Sequence, residues 1–565
     1  MIPAAAESRR ARTWSLRDAG VWMLIALSLA AGIGMRAPSP PDEPRFVLAA
    51  RAMAGSGQWL LPHRGTELYA EKPPVFMWLQ LASRALLRDW DIAFLVPSLL
   101  ASLLTLWLTW DLGRRLWGRP VGRHAALALF CTIQFGLMAK RAQIDMVLVA
   151  MTTVSLWAMV RHLLLGPDRR CLLLAGFAAG LGTVTKGVGF LPLLVVIPWL
   201  LVRLRDPGRR PGGAAWQWTL VPAGFLAGAG VWLLPLGIAL LRPHGAELDA
   251  YAREILLRQT GTRYLDSWHH LKPGWYYAQV ILTLWLPGSL LLPKLVPAWA
   301  RRTRRGDARH ILLLGWVLLV LVFFSATPGK REVYILPALP AVCIAAAPLL
   351  GGMLRMRYAR LALQGYVGAV GVVAVVLGAV LLFEPAWLAS SLAGRDLDHD
   401  AVHSLGAWML GLGAGLAWML DANARRPGRA TVLATCLIWI VYGAGFMPAL
   451  DPFASSSRLM GQVYQRIGPA AQLGLVDWRE QNFLQAPRTP VDFGFKVPVA
   501  EQWRRASAWA EAAPAQRWIL ANAKTLPGCV DHAAVVEAGQ SNRNTWVLVP
   551  GAAVEACQPR AFPIN

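Results

Sequence analysis

About thirteen apolar runs constrain this chain more than any other feature, each close to the roughly 20 residues a helix needs to cross a bilayer. They lie near 19–36, 90–112, 121–138, 143–163, 171–185, 187–204, 216–241, 275–297, 310–326, 333–350, 361–384, 402–421 and 429–448. Inside a bilayer the backbone must satisfy its own hydrogen bonds, so such runs fold as helices. The expected fold is therefore an all-α polytopic membrane protein. A hydrophobic share of 56% with 27 Trp in 565 residues agrees. The formal net charge of +24 does not point to nucleic acid, because the arginines sit in short loops between the runs. These loops, at 114–123, 161–170, 203–210, 301–309, 355–360 and 425–429, carry the positive bias of cytoplasmic connections. Membrane lipids and a phosphorylated lipid are the expected anionic partners.

Arg9, Arg10, Arg12 and Arg17 precede the first run, and no persuasive small-residue cleavage site follows it. It reads as a retained helix with a cytoplasmic N-terminus. An odd number of spans then places the C-terminus outside. Residues 1–448 form the expected membrane domain and 449–565 a separate soluble domain. In that tail, short β-like runs (Leu473–Val476, Trp518–Leu520, Thr545–Val549) alternate with a helical Glu501–Glu511, predicting a small α/β domain. Cys131, Cys171, Cys343 and Cys436 fall in apolar runs and read as small hydrophobes. Cys529 and Cys557 fall in the tail, where an oxidising compartment permits a disulfide.

The outer loop 41–89 carries the densest chemistry. Asp42 and Glu43 precede Pro44 and an apolar pattern through Met53, so either acid can cap a helix whose first turn holds the proline. Pro73–Arg88 is too short and too charged to span, and fits an amphipathic interfacial helix. Ionisable groups beside apolar spans are expensive, and hence candidates for function. The outer side collects Asp42, Glu43, Arg45, Glu71, Lys72, Lys140, Arg141, Asp145, Lys186, Arg258, Lys330 and Arg331, with Tyr69 and Tyr334. Asp145 can pair structurally with Lys140 or Arg141. Cations hold phosphate oxygens and stabilise charge growing on a leaving phosphate. Carboxylates serve as general bases or steady an oxocarbenium-like sugar. No nucleotide-binding glycine loop accompanies them, so a lipid-linked donor is expected. His269 and His270, with Glu71, can form a divalent-metal site, since imidazole and carboxylate suit Zn²⁺. No cofactor is otherwise required.

Three segments of the first loop carry a resemblance: Asp42-Glu43-Pro44-Arg45, Gly57-Gln58-Trp59-Leu60-Leu61-Pro62-His63, and Tyr69-Ala70-Glu71-Lys72-Pro73-Pro74. Together with Lys140-Arg141-Ala142-Gln143-Ile144-Asp145, Thr185-Lys186-Gly187 and Gly329-Lys330-Arg331-Glu332-Val333-Tyr334, the chain resembles the membrane-embedded GT-C glycosyltransferases. Within them it is most similar to the lipid A aminoarabinose transferases, relatives of the protein O-mannosyltransferases. The resemblance implies a GT-C fold whose first loop and C-terminal domain are periplasmic. It implies inverting transfer of 4-amino-4-deoxy-L-arabinose from undecaprenyl phosphate to lipid A phosphates at the periplasmic face of a bacterial inner membrane. Asp42, Glu71 and Asp145 become the catalytic carboxylates. Arg45, Tyr69, Lys72, Lys186, Arg258, Lys330 and Tyr334 become ligands of the carrier phosphate or sugar. Chain length permits a functional monomer. The alternatives are a GT-C enzyme moving another sugar, such as mannose, to protein or glycan, and a polyprenyl-lipid transporter or flippase.

Overall fold

The computed structural model describes residues 16–206, 214–256, 271–387 and 399–554. The first helix, α1 (Leu16–Ala30), gives way to turns at Gly32 and Gly34, both in the left-handed region. A Cβ at Gly32 would lie 2.0 Å from the Gly443 carbonyl oxygen, so only glycine lets these two backbones touch. Next come α2 (Glu43–Ser56), the two-stranded hairpin β1 (His63–Arg64) and β2 (Glu67–Leu68), and α3 (Val75–Leu87). Pro44 stands in the first turn of α2, where its missing N–H costs nothing. Gly57 (φ 70°) closes the helix by donating its N–H to the Met53 carbonyl. The apolar stripe of α2 (Phe46, Val47, Ala50, Met53) is buried, and Phe46 meets Phe76 of α3 edge to face at 5.3 Å.

The short α4 (Trp90–Ala93) leads into α5 (Val96–Trp117). Then follow α6 (Arg119–Cys131), α7 (Ile133–Ala139), α8 (Ile144–Leu165) and α9 (Arg169–Lys186). Among the described residues, eight helices are long and apolar enough to cross a membrane. Two bent pairs raise this to ten: α6 with α7 at 72°, and Tyr276–Leu284 with Gly288–Arg304 at 102°. The other expected spans map onto α1, α9 and residues 191–205. The first and last are short, and α9 carries Arg169, Arg170 and Lys186. Pro192 sits in the 3₁₀ segment Leu191–Val195 that breaks the last of these runs. The thirteen runs are thus helical, but not thirteen uniform rods.

Helix α9 packs against the helix Leu220–Leu241 through facing small residues. Added Cβ atoms at Gly176 and Gly180 would come within 2.0 and 2.1 Å of the Val221 and Phe225 carbonyls. Gly224 and Gly228 meet α9 reciprocally. This is the small-residue spacing that lets membrane helices approach closely.

The tail folds around a five-stranded sheet in the order β4 (Val491–Asp492), β3 (Gln472–Val476), β5 (Arg517–Asn522), β7 (Asn544–Pro550), β6 (Val536–Ser541). β3 runs parallel to β4 and β5, whereas β7 is antiparallel to β5 and β6. Alternation along the strands divides two cores. Val476, Ile519 and Val549 pack with Trp503 and Ala506 of the helix Val499–Glu511. Leu473, Leu475, Leu520 and Leu548 join the apolar cluster that runs through the first loop and the membrane helices. Cys131, Cys171, Cys343 and Cys436 are free and buried. Cys529 is disulfide-bonded, and Cys557 lies outside the described residues.

Candidate active site

Asp42 occupies the N-cap position of α2, yet its side chain makes no capping hydrogen bond. Its Oδ2 accepts from Gln143 Nε2 at 3.0 Å and from Arg331 Nη2 at 3.2 Å. Glu43, one residue on, is only 4% exposed. Arg36 grips it through two nitrogens at 2.5 and 2.8 Å, and the Ser39 and Ala142 amides donate at 2.8 and 2.9 Å. A buried carboxylate needs such a full set of donors to offset its lost hydration. Arg36 also donates to the Lys140 carbonyl at 3.1 Å. The Glu43–Arg36 pair therefore fastens segment 36–43 to segment 140–142, just before Gln143 and Asp145. Of two adjacent acids, one is buried in the scaffold and the other keeps part of its side chain exposed.

On one side of Asp42, the positive charge of Arg331 lies close to both Asp42 and Asp145. Burial works against that charge, but Asp42 first, then Asp145 and Glu332, outweigh it and raise the Arg331 pKa. Asp145, in the first turn of α8, is paired with Lys186, the last residue of α9. This replaces the expected pairing with Lys140 or Arg141. Lys140 is buried and donates its ammonium protons to the Leu29 and Ala31 carbonyls, at 3.2 and 2.8 Å. The Lys186 ammonium lies 5.2 Å from the ring centroid of Tyr334, within cation–π range. Lys330, expected as a ligand, instead donates to the Thr327 and Lys272 carbonyls, at 2.7 and 3.3 Å. Its neighbour Arg331 is the cation that reaches Asp42.

On the other side of Asp42, Arg45 lies 3.9 Å from both Asp42 Oδ1 and Glu71 Oε2. Glu71 also meets Arg64 at 3.4 Å and Lys496 at 3.8 Å. Arg64 is almost fully buried, with its guanidinium 4.0 Å from the Phe495 ring centroid and 5.4 Å from that of Tyr69. Tyr69 is 1% exposed, and burial, reinforced by Glu71, pushes its phenol pKa up. Burial opposes the Arg45 charge too, but Tyr69, Glu480 and Glu71 raise its pKa on balance. Lys72 is half-buried in the turn between β2 and α3.

The structure thus gathers Asp42, Arg45, Tyr69 and Glu71 into one cluster and joins it through Arg331 to Asp145, Lys186 and Tyr334. Arg258, His269 and His270 lie outside the described residues. Sequence reasoning passed over Arg36, Gln143, Arg64 and Glu480. Arg36 carried a usable signal: it is an arginine at the end of the first run opposite the Arg9, Arg10, Arg12 and Arg17 cluster, where the expected positive-inside bias disfavours one. Glu480 carried none. As a metal ligand Glu71 fits poorly, because three cations already surround its carboxylate. Among the described residues, no three His, Cys, Asp or Glu side chains are grouped to hold a metal.

Residues 71–232 match the dolichyl-phosphate-mannose-protein mannosyltransferase family. An undecaprenyl phosphate-alpha-4-amino-4-deoxy-L-arabinose arabinosyl transferase of Pseudomonas aeruginosa (strain UCBPP-PA14) is 31% identical over 455 residues, covering 78% of this chain and 76% of its own length. A similarly named protein of Pseudomonas fluorescens (strain Pf0-1) is 28% identical, with 74% and 70% covered. The crystal structure of ArnT from Cupriavidus metallidurans bound to undecaprenyl phosphate superposes with a TM-score of 0.73. The match covers 96% of this chain and 99% of that one, at 18% identity, and establishes a shared fold.

Proposed function

The chain belongs to the undecaprenyl phosphate-4-amino-4-deoxy-L-arabinose arabinosyl transferase family, and from that premise we propose how its site moves the sugar. It is a membrane glycosyltransferase using an undecaprenyl phosphate-linked sugar donor. The acceptor is a lipid A phosphate, and the reaction takes place at the periplasmic face of the inner membrane. The N-terminus is cytoplasmic, the tail is periplasmic, and thirteen segments traverse the bilayer, the bent and short ones included.

One observation carries the reading. Asp42 is held by Gln143 and Arg331 through one oxygen, while the other stands 3.9 Å from Arg45, beyond the roughly 2.7–2.9 Å of a charge-assisted hydrogen bond. The carboxylate is oriented but keeps acceptor capacity for a ligand. In the transfer, an acceptor phosphate oxygen attacks the anomeric carbon as the bond from that carbon to the carrier phosphate breaks. The carrier phosphate leaves with the electron pair, and the anomeric configuration inverts. A phosphate acceptor is already anionic at neutral pH, so no strong base is needed to activate it. Asp42 instead steadies positive charge on the sugar, including its amino group. Arg331, Lys186, Lys72 and Arg45 face the carrier phosphate, and Tyr334 supports Lys186. Glu71 holds Arg45 and Arg64 in place. A divalent metal, where bound, is structural.

The test is mass spectrometry of lipid A from Gram-negative cells lacking their own aminoarabinose transferase. A gain of one aminoarabinose with the wild-type chain, and none with Asp42→Asn, is the expected result. No gain in cells that make both protein and donor overturns the reading and favours another sugar or acceptor.

A further inference from the structure

Besides Phe495 and Lys496, the tail reaches the site through the carboxylate of Glu480, which is 7% exposed. Its Oε1 accepts from Arg45 Nε at 3.1 Å and from Arg64 Nη1 at 3.0 Å. The tail around it is firmly anchored. Asp492 accepts from the Thr66 amide and hydroxyl, both at 2.9 Å, and from Trp478 Nε1 at 2.9 Å. The Lys496 amide donates to Glu67 at 2.8 Å, so the tail grips the β1–β2 hairpin at Thr66 in its turn and at Glu67 in β2. Asn482 accepts from the Arg479 amide at 3.0 Å and fixes the start of the helix Glu480–Leu484.

An arginine three residues after an aspartate at a helix start lies within reach of it for a close ion pair. Arg45 does not form one: its Nη1 stays 3.9 Å from Asp42 while its Nε edge is taken by Glu480. We propose that Glu480 is a positioning residue. It draws the Arg45 guanidinium away from Asp42, so that the Asp42 carboxylate keeps its field for the sugar and Arg45 faces the carrier phosphate. The inference rests on the transfer reading above and assigns the tail a share in catalysis.

The test is turnover by purified full-length protein in detergent, with undecaprenyl phosphate-linked aminoarabinose and lipid A. Glu480→Gln is expected to lower kcat at least tenfold while leaving the donor KM within threefold. Glu480→Asp, which keeps the charge, should recover part of that loss. In an Arg45→Gln background, adding Glu480→Gln should cost nothing further. Turnover of Glu480→Gln within twofold of wild type, or a further tenfold loss on top of Arg45→Gln, overturns the inference and leaves the transfer reading intact. A wild-type chain that transfers nothing overturns the transfer reading, and this inference with it. Should Glu480→Gln not reach the membrane, Glu480→Asp decides. Reduced kcat at an unchanged melting temperature supports the inference, and wild-type kcat overturns it.

Discussion

Asp111, near the C-terminal end of α5, and Asp42, on the first loop, meet their partners in opposite ways. Asp111 has a side chain only 2% exposed and is saturated by neighbours: Arg114 and Arg115 at 2.5 Å each, and Trp157 Nε1 at 2.9 Å. Both arginines lie one helical turn away, so these two ion pairs form wherever α5 forms, and Trp157 adds a donor from α8. Asp42 is 15% exposed, and its partners at hydrogen-bonding distance come from 101 and 289 residues away. A locally satisfied acid stabilises a helix end and has nothing left to offer a substrate. An acid assembled from distant segments, and left with an unfilled oxygen, is suited to binding charge that appears during a reaction.

The sharpest break of this comparison is Asp42→Asn. It should lower kcat by about 10³-fold, as expected for removing a charge aimed at the transition state. Undecaprenyl phosphate binding should remain measurable by titration, and the melting temperature should hold. Asp111→Ala should do the reverse. Losing this buried carboxylate takes the acceptor from Trp157 Nε1 and from two part-exposed arginines and costs about 1–3 kcal/mol of stability, seen as a lowered melting temperature, while kcat of the surviving folded fraction is unchanged. A smaller effect separates the adjacent cations. Arg331→Gln should reduce kcat about 100-fold, by the logic of removing one electrostatic contact. Lys330→Met should leave kcat within about threefold and act mainly on thermal stability, through its lost carbonyl contacts. Chelation should have the smallest effect of all. With Glu71 already held by cations, turnover after treatment with EDTA should match the untreated enzyme, and a collapse of activity would make the metal catalytic.

The first loop was legible because its residues sit where charge is expensive. Asp42, Asp145 and Lys186 lie beside apolar runs and Glu71 lies in the charged loop between two of them, and the family resemblance added their roles. Arg331 was visible too, but not the choice between it and Lys330. Adjacent side chains point differently according to the backbone, and here the 3₁₀ segment Glu332–Ala338 begins directly after Arg331. The pairing of Asp145 with Lys186 was similarly open, since Lys140 and Arg141 are nearer in sequence. Helix α8 begins at Ile144 and α9 ends at Lys186, and the packing of these antiparallel neighbours brings the two charges together.

A polytopic helical membrane protein with a charged first loop and an α/β tail is already readable in the sequence. Apolar length, arginine bias and strand alternation are local properties, and the bilayer and the sheet act on them locally. Tertiary packing alone settles that Glu43 is buried in the scaffold while Asp42 stays partly exposed, that Arg331 and not Lys330 reaches Asp42, and that Glu480 meets Arg45 from the tail. Each of these depends on which distant segments approach within about 3 Å, the range over which hydrogen bonds and close ion pairs act. No local pattern encodes a contact across 435 residues. Packing of the shared apolar core sets it.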